Sequence, residues 1–185
     1  MTNFLASLLV PQPSSDDRDI ALGQFMYEWG NLEMQLFFLF YMLIGTTFEI
    51  ANTIFLTGFQ SSVLSELLKS LGEIRLLKPE KEQLKSLCKR YIKAAQKRNK
   101  IVHGIWRIET NPDDSSLTEW VRIYDPINPT LQEQVADKFN QKARSNYRFT
   151  IKQLLIATEN VKTLAHDIQS FYFAIIRLYP DKFVI

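Results

Sequence analysis

The chain has 185 residues, of which 46% are hydrophobic, and its formal net charge is +2. This length fits a single domain, residues 1–185, that buries roughly 70% of its unfolded surface. The net charge is too small to require a polyanionic partner, so any argument for nucleic-acid binding has to rest on local charge. The single cysteine excludes an internal disulfide. It fits a reducing compartment, and we expect the cytoplasm.

Two apolar segments need to be separated from targeting and membrane signals. Residues 1–10 are apolar, but no basic residue precedes them and no small-residue cleavage site follows. We therefore expect an N-terminal arm over residues 1–15 and no signal peptide. Polar and acidic residues interrupt the aromatic-rich segment 26–44, which falls short of the roughly 18 uncharged apolar residues that a membrane span requires. A buried helix and no membrane partner are predicted.

Three helical segments are predicted before residue 105. The first runs from about Arg18 to Ile44, after two aspartates that can cap it, and Gly45 ends it. The second opens at a capping box formed by Thr46 and Glu49 and runs to about residue 71. Within this segment, Gly58 bends or divides the helix. The third runs from Pro79 to residue 102 or 103, with the glycine at 104 as a natural cap.

The sequence changes its periodicity after the third helix. Residues 106–110 and 117–124 are β-prone and flank a segment of turn-forming residues, which predicts a β-hairpin over 105–125. The connection 126–148 is polar, with a short helix expected from about Thr130. A second capping box opens the last long helix, from Thr150 to about Arg177. The predicted fold class is all-α: a four- to five-helix up-and-down bundle with the hairpin inserted before the last long helix.

Arg98 interrupts the apolar stripe of the third helix. Successive helical residues are rotated by about 100°, so one face of this helix collects Leu84, Leu87, Cys88, Tyr91, Ala95 and Val102. Arg98 projects from the same face, and Asn99 lies at its edge. His103 lies about 100° from the centre of the stripe, at the border between buried and solvated positions. A guanidinium at a core position usually serves chemistry or recognition.

Glu33 interrupts the first helix in a similar way. One face of that helix collects Leu22, Met26, Trp29, Phe37, Phe40 and Ile44, and Glu33 lies in the middle of it. A buried carboxylate needs a partner, because burying it alone costs several kcal/mol. Arg98 is the first candidate, since a guanidinium forms two hydrogen bonds to a carboxylate. His103 or Asn99 is the second. We therefore expect the first and third helices to pack with Glu33 against this cluster.

The outer face of the third helix is basic. Between residues 79 and 100 the helix as a whole has eight Lys or Arg residues, Arg98 among them, against two Glu residues. One interpretation is an ordinary solvated face. The other is a track for RNA phosphates that leads to Arg98 and His103, with Lys93, Lys97 and Lys100 as the contacts. The two interpretations are compatible.

The segment Arg98-Asn99-Lys100-Ile101-Val102-His103 resembles the signature of the HEPN superfamily, in which an Arg, a polar residue and a His end a helix. The segment from Trp29 to Glu33 and the order of the predicted elements are also similar to prokaryotic HEPN-like proteins. The resemblance implies a metal-independent, cofactor-free endoribonuclease that acts as a homodimer, in a toxin or phage-defence role with an antitoxin or other protein partner. Some HEPN toxins carry a modified Tyr two residues after the His. Ile105 stands there, so that form of control is not expected.

The motif residues suit ribonuclease chemistry. RNA supplies its own nucleophile, the 2′-hydroxyl, so the protein has to move protons and neutralise phosphate charge. His103 can do the first and Arg98 the second, while Asn99 can hold the imidazole or a phosphate oxygen. Acid and base are both needed, and the only other histidine, His166, falls in the middle of the last helix. Two copies of His103 across a two-fold axis would supply the pair, which predicts a composite site.

Other interpretations of these residues remain open. The chain could be a non-catalytic HEPN-like module that binds RNA, a nucleotide or a protein. It could also be a helical dimer in which the Arg98–Glu33 pair is only structural, with His103 a capping group. Cys88 is predicted to pack in the core. No metal site is expected, because no cluster with ligand spacing accompanies His166.

Overall fold

The computed structural model describes residues 14–110, 118–124 and 148–180. Among these residues it contains five helices, α1 Ser15–Ile44, α2 Phe48–Leu56, α3 Ser61–Arg75, α4 Lys78–Val102 and α5 Ile151–Leu178. Three strands lie between α4 and α5, namely β1 Gly104–Thr110, β2 Thr118–Tyr124 and β3 Arg148–Thr150. The all-α class with a hairpin before the last long helix is confirmed. The predicted arm up to residue 13 and the short helix from Thr130 lie outside the described residues.

The second predicted segment is two helices. Gly58 follows α2 with a φ of +84°, a left-handed conformation that ends a helix. Thr47 caps α2 by accepting a hydrogen bond from the backbone N–H of Ile50 at 3.4 Å. The division that the sequence expected at Gly58 therefore occurs.

A small antiparallel sheet stands where the hairpin was predicted. Strand β1 pairs with β2 from Gly104 opposite Tyr124 to Thr110 opposite Thr118. Strand β3 adds to the other edge of β2, with Val121 opposite Thr150. The third strand was not predicted, because three residues are too short to show an alternating pattern.

The chain divides into two compact units. The hairpin unit comprises Met1–Phe25 and Lys97–Ala157, and the helical unit comprises Met26–Gln96 and Thr158–Ile185. In the hairpin unit Trp120 of β2 holds the start of α1: its indole N–H donates to the carbonyl of Ser14 at 2.9 Å. The guanidinium of Arg18 lies 4.5 Å from the centre of the Trp120 ring, a cation–π contact.

Aromatic side chains join α1 to α2 in the helical unit. The ring of Phe37 meets the edges of Phe48 and Phe55 at centroid distances of 5.3 and 5.4 Å. Phe40 lies 5.9 Å from Phe55 and 6.0 Å from Phe59. These separations are typical of favourable edge-on and tilted ring pairs. The contacts place α2 against the carboxyl-terminal half of α1.

A buried polar chain joins α1 to α5. The Tyr172 hydroxyl donates to Oε1 of Gln35 at 3.0 Å, and Nε2 of Gln35 donates to Oδ1 of Asn31 at 3.1 Å. Gln35 and Tyr172 are buried. Desolvation by burial raises the pKa of Tyr172, with a hydrogen bond to Gln169 acting in the opposite direction. Asn31, Gln35 and Tyr172 thus each have a hydrogen-bond partner, as burial of polar side chains requires.

Helix α3 fits closely against α4 and the end of α1. A Cβ added to Gly72 would overlap the Leu84 side chain, so a larger residue at position 72 would force Leu84 to move. At the end of α3 the Arg75 guanidinium donates from Nη2 to the carbonyl of Ile44 at 3.2 Å. This cation caps the carboxyl terminus of α1, where the helix dipole favours positive charge. Gly45 continues from there with a φ of +63°.

Candidate functional site

The motif residues lie together at the carboxyl end of α4. Asn99 belongs to its last turn, Arg98 directly precedes that turn, and His103 is the first residue after the helix. The backbone N–H of His103 donates to the carbonyl of Asn99 at 3.1 Å, which closes that turn. Nη1 of Arg98 donates to Oδ1 of Asn99 at 3.4 Å. Asn99 therefore contacts both of the other motif residues.

The motif is open to solvent on the side where a substrate could reach it. The side chains of Asn99 and His103 are exposed, and that of Arg98 is half-buried. The predicted border position of His103 is thus on the solvated side. Val102, which was predicted to continue the apolar stripe, is exposed, and Ile101 is buried in its place. The buried face of α4 is rotated by one residue at the helix end.

Glu33 is exposed, so the prediction of a buried carboxylate at this position is wrong. The buried positions run through Phe25, Trp29, Leu32 and Leu36. Phe37 and Phe40 lie on the same side of α1 as Glu33 and are also buried, so the exposure is confined to Glu33 itself. Its Oε1 accepts a hydrogen bond from the indole N–H of Trp29 at 2.7 Å.

The indole therefore serves as a partner for Glu33. Glu33 belongs to the helical unit and the motif to the hairpin unit. Its pairing with Arg98, Asn99 or His103 stays a prediction.

The three predicted RNA contacts, Lys93, Lys97 and Lys100, are exposed. Lys93 lines a cavity of about 700 Å³ in the helical unit, to which α3 contributes Lys69. The sequence did not predict the part of α3 in this surface. A pattern within one helix identifies neighbours on that helix, whereas the lysine on α3 joins them only through packing between helices.

Two other reactive side chains are accounted for by their surroundings. Cys88 is buried, and desolvation raises the pKa of its thiol to about 11, so it stays protonated at neutral pH. Its predicted role in packing is confirmed. His166 is exposed, with Nδ1 4.0 Å from Oδ1 of Asp167. The other oxygen of that carboxylate, Oδ2, accepts a hydrogen bond from Nη1 of Arg90 at 2.6 Å.

The described residues contain no group of three or more His, Cys, Asp or Glu side chains placed to hold a metal ion. Within the same residues, no helix combines the length and the apolar character that crossing a membrane requires.

Comparisons with known proteins add no relative. A scan against protein-family models, a search of curated proteins and a search of solved structures each found no match to the chain. The chemistry of the site therefore has to be argued from its own side chains.

Proposed function

We propose that the chain is a metal-independent endoribonuclease of HEPN type that cleaves RNA with Arg98, Asn99 and His103. The observation that carries the proposal is a contact between two of the three side chains at an exposed helix end: the Asn99 amide oxygen accepts from the Arg98 guanidinium, and His103 follows Asn99 by one helical turn, joined to it through the backbone. A cation, an amide and an imidazole are the groups that cleavage of a phosphodiester through the RNA 2′-hydroxyl requires. The resemblance extends the proposal to a cytoplasmic toxin or phage-defence role with an antitoxin partner.

Each group has a defined part in the reaction. The 2′-oxygen forms a bond to phosphorus and gives its proton to one imidazole, acting as base. The bond from phosphorus to the 5′-oxygen breaks, and that oxygen takes a proton from a second imidazole. Arg98 neutralises the charge that gathers on the phosphate oxygens. The products are a 2′,3′-cyclic phosphate and a free 5′-hydroxyl, and no oxidant, metal or cofactor enters the balance.

The chemistry calls for a second copy of the chain. One His103 cannot be base and acid in the same step, and the only other histidine lies exposed on α5. Helix α1 offers an apolar outer face for such a contact. Tyr27 is 75% exposed, Met34 48% and Phe38 37%. Gly30 lies between them with nothing within 4 Å of an added Cβ. We propose that two copies meet on this outer face of α1.

Charging this face tests the homodimer. We expect Met34→Asp to convert a dimer into a monomer and to abolish cleavage, because a buried carboxylate without a partner destabilises an interface. Light scattering after size exclusion measures the mass, and the same fractions are assayed for cleavage. Ile74→Asp is the matched control, because Ile74 is an exposed apolar residue on α3. A monomeric wild-type chain, or a monomeric variant that still cleaves RNA, would contradict the proposal.

The activity itself is tested in chelator. Purified protein is incubated with mixed RNA in EDTA, and the ends of any fragments are determined chemically. We expect cleavage to persist and to leave 2′,3′-cyclic phosphate and 5′-hydroxyl ends. RNA that is bound but not cleaved would overturn the ribonuclease and favour a non-catalytic binding module. Cleavage that EDTA abolishes would overturn the metal-independent chemistry.

A further inference from the structure

A concave basic surface lies between α3 and α4 within the helical unit. Its cavity measures about 700 Å³, within the range of volumes of known ligand clefts. We call this surface the lysine groove. Helix α3 lines it with Ser62, Glu66 and Lys69, and α4 with Lys85, Lys89, Lys93 and Gln96. It includes one carboxylate against four ammonium groups.

Two of the four lysines are already neutralised by carboxylates. Nζ of Lys69 lies 2.8 Å from Oε1 of Glu66. This ion pair neutralises Lys69 and also the one carboxylate that lines the groove. Nζ of Lys85 lies 3.0 Å from Glu73 and 3.1 Å from Glu82. The hydrogen bonds to Glu73 and then to Glu82 hold the pKa of Lys85 above its usual value. These two lysines therefore shape the groove without leaving a net charge in it.

The other two lysines carry the net charge of the groove. Lys89 and Lys93 are exposed, and within the described part of the chain neither forms an ion pair with a carboxylate. They lie four residues apart on α4, about 6 Å along the helix axis. Like charges at this spacing repel each other and destabilise a helix, which an anion between them would relieve. The Ser62 hydroxyl and the Gln96 amide supply further hydrogen-bond donors beside them.

We propose that the lysine groove binds the phosphate backbone of single-stranded RNA, with Lys89 and Lys93 each contacting one phosphate. Their spacing is close to that of neighbouring phosphates in an extended strand. Ammonium groups act on phosphates as point charges and read no base, so the groove contributes affinity without sequence preference. A concave trough also fits a single strand better than a flat membrane surface. The choice of RNA as the polyanion rests on the proposed function.

The test measures binding separately from cleavage. The probe is a fluorescein-labelled 12-nucleotide oligouridylate with 2′-O-methyl groups, which lacks the nucleophile and cannot be cleaved. Fluorescence anisotropy gives its Kd at several KCl concentrations for the wild type and for the double variant Lys89→Gln/Lys93→Gln. Each phosphate contact with a single strand contributes a salt slope of about −0.7. We expect the slope to fall by about 1.4 and the affinity at 0.15 M salt to fall about fifteenfold.

The control variant Lys152→Gln/Lys162→Gln removes the same charge from exposed positions on α5. The proposal is overturned if both variants lose affinity equally, if neither does, or if polyglutamate displaces the probe as well as unlabelled oligouridylate does. The two proposals fail separately. Lysine-dependent binding without cleavage of ordinary RNA would leave the groove standing and remove the ribonuclease. If cleavage depends on His103 but the double variant binds the probe as tightly as the wild type, the ribonuclease stands and the proposed role of the lysine groove is overturned.

Discussion

Replacing His103 by Ala is expected to lower the rate of RNA cleavage by about 100- to 10,000-fold. That range is what a positioned acid or base contributes to a proton-transfer step, and in the proposed dimer the substitution removes both imidazoles at once. The side chain is exposed and follows the last turn of α4. We therefore expect its removal to leave the fold intact. The measurement is the single-turnover rate on a labelled RNA under excess protein.

The second histidine provides the matched control. His166 is exposed on α5, and we expect His166→Ala to cleave at the wild-type rate. Circular dichroism at the assay temperature verifies that both variants are folded. Equal rates for His103→Ala and the wild type would remove His103 from the reaction. A loss in His166→Ala as large as that in His103→Ala would contradict the assignment of the site to the end of α4.

Truncating Leu84 is expected to destabilise the protein by about 2–5 kcal/mol, the usual cost of a Leu→Ala substitution in a closely packed core. Leu84 is 1% exposed and fills the space beside Gly72 where α3 meets α4. Leu77→Ala, at a position that is 58% exposed, provides the same chemical change without a cavity. Urea denaturation of the two variants and the wild type gives the difference in the free energy of unfolding.

A second substitution makes this prediction specific to the contact. In Gly72→Ala alone, overlap with Leu84 is expected to lower the free energy of unfolding by about 1–3 kcal/mol. The higher helix propensity of alanine offsets about 1 kcal/mol of that loss. In the Leu84→Ala background the new methyl group enters the vacated space. The double variant should then be more stable than the sum of the single effects by about 0.5–3 kcal/mol. Strict additivity would show that α3 and α4 do not meet at these residues.

Local patterns in the sequence predicted most of the helical structure. The third predicted helix, residues 79 to 102 or 103, matches α4 at Lys78–Val102. Its apolar stripe, the proline in its first turn and the glycine after its end are all local signals, so they can be identified from this segment alone. Helix α1 begins at Ser15, three residues before its predicted start. Helix ends are set by weak capping interactions that compete over one turn. The third strand was missed because it gains its order from pairing with β2.

Only those parts of the site that come from one short segment of sequence were predictable. The proximity of Arg98, Asn99 and His103 follows from helix geometry, and the structure places them together. Glu33 was predicted to be buried because Trp29, Phe37 and Phe40 share its side of α1. Those three residues are buried, whereas Glu33 is exposed. Which positions on one side of a helix are covered depends on packing between helices, which a local pattern does not show. The position of Lys69 beside the lysines of α4 depends on the same kind of contact and had no local signal.

The polar chain of Asn31, Gln35 and Tyr172 limits how α1 and α5 can slide along each other. A shift of α5 by one turn, about 5.4 Å, would still place apolar side chains against apolar side chains, although in a different packing. The same shift would separate the phenol from the Gln35 carbonyl and leave buried polar atoms unbonded, at about 1–3 kcal/mol each. The apolar residues thus supply adhesion between the two helices. The three polar residues select one axial alignment, and leucine at position 35 would leave the Tyr172 hydroxyl without its Gln35 partner and remove that selection.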